Sequence, residues 1–94
     1  MSYMVEMEER ARKALKSLDK HTARLMRDKI DQLAQHPLDP RISKPVKMFP
    51  GRRAARVGDW RIIYHLVESR LSLIIAAICP RDRAYEETAK RRKT

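Results

Sequence analysis

Four of the five prolines, Pro37, Pro40, Pro45 and Pro50, fall between His36 and Gly51. Each removes an amide donor and fixes φ, so neither a helix nor a central strand can run through that stretch. The prolines form a long connector between two halves that must find regular structure separately. Before them the apolar residues recur with the period of a helix. From Glu8 to Leu18, Ala11, Ala14, Leu15 and Leu18 share one face while Arg10, Arg12, Lys13 and Lys16 take the other. Ser17, Asp19 and Lys20 interrupt this pattern, which resumes with Met26, Ile30, Leu33 and Ala34 until His36-Pro37 ends it. The spacing predicts two helices joined by a short turn, an αα-hairpin. Ahead of it, Tyr3, Val5 and Met7 alternate with Met4, Glu6 and Glu8, which predicts a short strand.

After the prolines the period changes to two. Arg52 to Val57, Trp60 to Val67 and Leu71 to Ile78 read as three strands, with turns at Gly58-Asp59 and Glu68-Ser69-Arg70. In the middle strand Ile62, Tyr64 and Leu66 share one face, and Arg61, Ile63, His65 and Val67 share the other. The expected fold class is therefore α+β: a short N-terminal strand, an αα-hairpin, then a three-stranded antiparallel meander. At 94 residues the chain is expected to form a single domain over 1–94. Its basic tail, 86–94, ends in Lys90, Arg91, Arg92 and Lys93 and reads as a frayed or docking helix.

Composition bounds the function. The 22 Lys and Arg outnumber the 12 Asp and Glu to give a net charge of +10. Such a chain seeks polyanions or an acidic partner, nucleic acid first among them. A lone cysteine, Cys79, allows no internal disulfide, and it reads as a small structural residue at a strand end. The opening MSYMVEMEER has no basic-then-apolar signal pattern, and the apolar run from Leu71 to Cys79 is far shorter than the ~20 residues needed to cross a bilayer. A cytoplasmic location without membrane contact is the expectation.

Catalytic signatures of the common kinds are absent from the sequence. His21, His36, His65 and Cys79 show no metal-ligand spacing, and there is no Gly-rich phosphate loop, so neither a metal nor a cofactor is expected. What stands out is arginine: from Gly51 to Arg83 there are seven arginines and no lysine. The guanidinium fork binds phosphate bidentately and keeps its charge at any working pH, which suits a phosphodiester backbone. The competing reading is an ordinary solvated strand face.

The stretch Arg56-Val57-Gly58-Asp59-Trp60-Arg61-Ile62-Ile63-Tyr64 carries a resemblance. With Lys47 to Gly51 before it and Ile78-Cys79-Pro80-Arg81-Asp82-Arg83-Ala84-Tyr85 after it, the chain resembles the RelE/ParE superfamily of bacterial toxin-antitoxin toxins over nearly its whole length. The resemblance implies a meander whose concave face carries the site. RelE-like members are ribosome-dependent endoribonucleases that cut mRNA; ParE-like members poison DNA gyrase. Arg61, Arg81 and Tyr85 match the cutting branch. By resemblance, Arg61 stabilises charge on the phosphoryl oxygens, Arg81 stabilises the departing 5′ oxygen electrostatically, and Tyr85 stacks on or orients the nucleotide. Arg52, Arg53, Arg56, Lys47 and Arg83 are the expected RNA-binding residues. The resemblance also implies a RelB-like antitoxin as partner, alongside mRNA and the ribosome, and a toxin-antitoxin complex on operator DNA.

One departure from the pattern concerns the proton acceptor. RelE-like cutters often carry two lysines in the strand before the Gly-Asp-Trp-Arg block, one of them the proposed general base. Here that strand reads Arg52-Arg53-Ala54-Ala55-Arg56, with Ala54 at the position of the base. Tyr85, His65 and Lys47 are the titratable candidates that remain. The alternatives are a ParE-like gyrase inhibitor without catalysis and a relative that binds RNA without cutting it.

Overall fold

A computed structural model describes residues 2–81. Within them the order is β1 (Met4–Met7), α1 (Glu9–Lys16), α2 (Lys20–Gln35), β2 (Lys44–Pro45), β3 (Arg52–Val57), β4 (Trp60–Val67), a 3₁₀ turn (Glu68–Arg70) and β5 (Ser72–Pro80). The strands form one sheet in the order β1-β5-β4-β3-β2. All neighbours are antiparallel except β1 and β5, which run parallel. The expected α+β class, the helical hairpin and the meander are all present. The meander is extended at both sides, by β1 beyond β5 and by β2 beyond β3, so the sheet is mixed and five-stranded among the described residues.

The helices form where the pattern places them. Asp19 caps α2 by accepting the Thr22 amide at 3.1 Å, and that bond holds its carboxyl below the usual carboxylate range. Pro37 stops the same helix at its far end. One layer of helix packs on one face of sheet: Ala11, Leu15, Met26, Ile30 and Leu33 meet Ala55, Val57, Ile62, Tyr64, Leu73 and Ile75. The parallel edge is tied down by Tyr3, whose amide donates to the Ala34 carbonyl and whose hydroxyl donates to Glu68 Oε1 at 2.7 Å. The carboxylate beside it raises the Tyr3 phenol above its ordinary pKa.

The β4–β5 ladder is not regular. Ile63 pairs with Ala77 but Tyr64 pairs with Ile75, leaving Ala76 as an extra residue in β5. Before this bulge the odd-numbered Leu73 and Ile75 join the helix-side core; after it the even-numbered Ile78 does. The apolar run therefore changes face halfway along, and its end is reversed relative to a plain period of two.

The proline-rich connector differs from the expected irregular stretch. It contains β2, whose Lys44 lies opposite Ala54 and whose Pro45 lies opposite Arg53. Two residues are all that the prolines leave, and an edge is where a sheet tolerates proline. The connector is held by a buried polar junction. Tyr64, fully buried, donates from its hydroxyl to the Pro37 carbonyl and approaches Ser43 Oγ at 2.7 Å. Arg53 donates to Ser43 Oγ at 2.9 Å and to the Ser43 carbonyl at 3.1 Å. Asp39 and Arg41 clip the exposed turn, with Arg41 Nη2 2.9 Å from Asp39 Oδ2.

Two outcomes follow from this junction. Tyr64→Phe keeps the ring but removes the hydroxyl, leaving the buried Pro37 carbonyl with only the long 3.4 Å bond from Ser43 Oγ, and should lower unfolding free energy by about 1–3 kcal/mol in urea titration. The Arg41 guanidinium and amide hold the Asp39 carboxyl down at about 2, against an ordinary 3.8. A carboxyl depressed on folding contributes stability above its unfolded pKa and loses it as pH falls, so the clip's contribution should disappear between about pH 4 and pH 2. A carbon-detected NMR titration of Asp39 should show a midpoint near 2, and Arg41→Ala should return it toward 3.8.

Candidate nucleic-acid interface

The sheet face turned away from the helices carries the arginines. Cross-strand partners point to the same side, so the register stacks Arg56, Arg61 and Cys79 in one row and Lys44, Ala54, Ile63 and Ala77 in the next. A third row holds Arg52, His65 and Ile74. Ile63, Ala77 and Cys79 are buried, so the cations stand on an apolar floor. The connector rises beside this face and closes a cavity of about 430 Å³, walled by Arg41, Ile42, Lys44, Val46, Arg56 and Arg61 among others. Among the described residues, four of its lining side chains are cationic and none is acidic. A volume of this size accommodates a nucleotide-scale ligand.

The expected site residues are distributed unevenly. Arg61 and Arg56 face each other across the β3–β4 register and both line the cavity. Arg56 Nε also donates to the Gly58 carbonyl at 3.1 Å, which fixes its stem over the hairpin turn. Arg81 is exposed, and its amide donates to the Asp59 carbonyl at 2.8 Å, which ties the end of β5 to that same turn. The bulge brings Cys79 to the Arg61 side, and Arg81 is two residues further along. Arg52 lies two rows from Arg56 and Arg61, with Nη1 3.0 Å from His65 Nδ1. Arg53 has the opposite strand parity and spends its guanidinium on Ser43, so the structure gives it the work of anchoring the connector. Lys47 is exposed in the turn after β2 and is not part of the cavity wall. Arg83, Tyr85 and the tail 86–94 lie outside the described residues.

Two cations of the wall, Arg41 and Lys44, were not singled out by the sequence pattern. Both sit in the proline-rich connector, whose pairing with β3 has no periodic signature; the one usable signal was Lys44-Pro45 ahead of a predicted edge strand. Among the described residues, no three His, Cys, Asp or Glu side chains converge as a metal site. No described helix is long and apolar enough to cross a membrane. The arrangement offers fixed positive charge around a pocket on a sheet, suited to holding a phosphate through arginine forks.

Comparison with known proteins identifies the fold and the family. The family model for the ParE toxin of type II toxin-antitoxin systems matches residues 5–85. A search of curated proteins found no match. Among solved structures, the archaeal RelE-RelB complex from Pyrococcus horikoshii is similar at 31% identity, over 89% of this chain and 100% of that one, with a TM-score of 0.70. The toxin-antitoxin complex RelBE2 from Mycobacterium tuberculosis matches at 24% identity, over 86% of this chain and 100% of that one, with a TM-score of 0.73. A mutant of the E. coli toxin RelE in the free state matches at 17% identity, over 97% of this chain and 98% of that one, with a TM-score of 0.81. These last two show likeness of fold alone. With the family model spanning most of the sequence and the sheet and helical hairpin superposing on those structures, the chain belongs to the RelE/ParE superfamily of toxins from type II toxin-antitoxin systems.

Proposed function

We propose that this toxin is a ribosome-dependent endoribonuclease that cuts mRNA, held inactive by a RelB-like antitoxin. The observation that supports the reading best is the cavity beside Arg61, walled among the described residues by four cations and no carboxylate. In the proposed reaction the ribose 2′ oxygen attacks the adjacent phosphorus, the bond to the 5′ oxygen breaks, and a 2′,3′-cyclic phosphate and a 5′-hydroxyl result. Negative charge builds on the phosphoryl oxygens, and donors already in place stabilise it without reorganisation. Arg61 does this from the wall of the cavity and Arg56 holds the neighbouring phosphate. Arg81 supports the departing oxygen by charge, since a guanidinium surrenders its proton too reluctantly to act as an acid. Tyr85 is assigned stacking against a base, and Arg52, Lys47 and Arg83 contacts to the RNA backbone. An acidic or amphipathic antitoxin would cover the same cations, and the pair would then bind operator DNA chiefly through the antitoxin.

The family model's own name favours a second reading, inhibition of DNA gyrase without catalysis. The two separate in one pair of assays. Purified protein added to programmed ribosomes should cleave mRNA with no metal beyond what the ribosome needs and leave 2′,3′-cyclic phosphate ends. If mRNA stays whole while gyrase-dependent supercoiling stops, the gyrase reading replaces this one. Arg61→Ala should lower single-turnover cleavage by roughly 10²- to 10³-fold, the usual cost of one preorganised donor, with ribosome binding preserved. Cleavage near the wild-type rate in that variant would reduce Arg61 to a backbone contact.

A further inference from the structure

Attack by the 2′ oxygen requires somewhere for its proton to go, and the wall of the cavity offers few choices. Arg41, Arg56 and Arg61 cannot take it, because a guanidinium has no acceptor and is not deprotonated in proteins. Serine, proline and aliphatic side chains supply nearly all the rest. Among the described residues, the remaining titratable side chain of the wall is Lys44. It stands in the cross-strand pair with Ala54, on the face that carries Arg56 and Arg61. Directly paired side chains in an antiparallel ladder leave their Cβ atoms about 4.5–5.5 Å apart, within the reach of a lysine stem. An amine rooted at position 44 can therefore serve the space above Ala54.

The other candidates are placed less well. His65 lies in the next row, with its Nδ1 3.0 Å from an Arg52 nitrogen, and is not part of the cavity wall. Lys47 lies beyond β2 and outside the wall as well. Lys44, by contrast, is held by its neighbours. Ser43, immediately before it, is buried, accepts from Arg53 at both its hydroxyl and its carbonyl and lies 2.7 Å from the Tyr64 hydroxyl, so the backbone that carries Lys44 is pinned while its side chain stays exposed. Ordering that backbone in advance is what a positioned catalytic group requires.

Resting on the nuclease reading, we infer that Lys44 is the catalytic proton acceptor, supplied from edge strand β2 in place of the lysine that strand β3 lacks. Its Nζ takes the 2′-hydroxyl proton as the oxygen–phosphorus bond forms. The bond to the 5′ oxygen breaks, the departing oxygen takes a proton from water, and the lysine later returns its proton to solvent.

Arginine at the same place distinguishes proton acceptance from charge. The experiment measures single-turnover cleavage of mRNA on programmed ribosomes by wild type, Lys44→Ala, Lys44→Arg and the double variant Lys44→Ala with Ala54→Lys. Ribosome affinity is measured for each, and circular dichroism reports folding. General-base removal costs about 10²- to 10⁴-fold, so Lys44→Ala should fall by that factor with affinity changed only a few-fold. Lys44→Arg should be as slow as Lys44→Ala, because it keeps the charge but not the acceptor. The double variant, which returns an amine to the same cross-strand pair from the other strand, should recover to within about tenfold of wild type. An active Lys44→Arg would overturn the inference in favour of a phosphate clamp. A Lys44→Ala variant that cuts like wild type overturns it outright, as does a folded, ribosome-binding double variant that shows no recovery. A wild type that leaves mRNA whole overturns the nuclease reading beneath it, and that result is visible before any variant is compared.

Discussion

The open face depends on one buried junction, the meeting of Tyr64, Arg53 and Ser43. Tyr64 belongs to the helix-side core, yet its hydroxyl reaches past the sheet edge to the Pro37 carbonyl and Ser43. Arg53, from the neighbouring strand, meets the same serine. A connector rich in proline cannot bond to itself in a regular ladder, and beyond its short internal turns its buried Pro37 carbonyl and Ser43 draw partners from the sheet. Tyr64 and Arg53 supply those partners. The consequence reaches the other face of the sheet: with Ser43 fixed, β2 pairs with β3 and the connector stands as a wall beside Arg56 and Arg61.

The bulge in β5 has a comparable reach. In a regular ladder the odd-numbered positions that begin β5 on the helix side would continue there, and Cys79 would face the core below the helices. The extra residue at Ala76 reverses that parity, so Ile78 enters the core and Cys79 stands beside Arg61. The strand end that leads into Arg81 is thereby delivered to the cationic face. Bulges bend a strand and re-aim side chains next to functional sites, and here one inserted residue decides which side the closing segment approaches.

Those two features mark the border between what the sequence makes legible and what it does not. Helix and strand periods are local, and Arg52–Val57 and Trp60–Val67 are found at the bounds their alternation and the Gly58-Asp59 turn predict. Gly58 takes the left-handed φ of 58° that a tight hairpin needs. The face shared by Arg61, Ile63 and His65 is likewise a matter of parity. The run from Leu71 onward is apolar on both sides and so holds no trace of its bulge. Arg53 reads as one more exposed cation because its partner, Ser43, is ten residues away across a stretch without period. Lys44 is silent in the sequence for the same reason: only the register of β2 against β3 brings it over Ala54.

On the nuclease reading proposed above, register also explains how a strand of arginines can serve where an amine is wanted. Cross-strand neighbours project into one volume, so a side chain lost from one strand can be supplied by the strand beside it without moving the backbone. The arginines then keep the task that suits them, a charge that no working pH removes. Clustering four cations around one cavity is unfavourable in the empty protein, because like charges repel most where an apolar floor limits screening. The Tyr64 and Arg53 bonds hold the walls of that cavity against the repulsion. An anion that enters it, whether an RNA phosphate or the carboxylates of a neutralising partner, binds the folded chain and not the unfolded one, and so adds its binding free energy to the fold. Substrate and inhibitor would on this account compete for a single electrostatic deficit, which is the physical basis on which an acidic partner can silence a basic toxin without resembling RNA in shape.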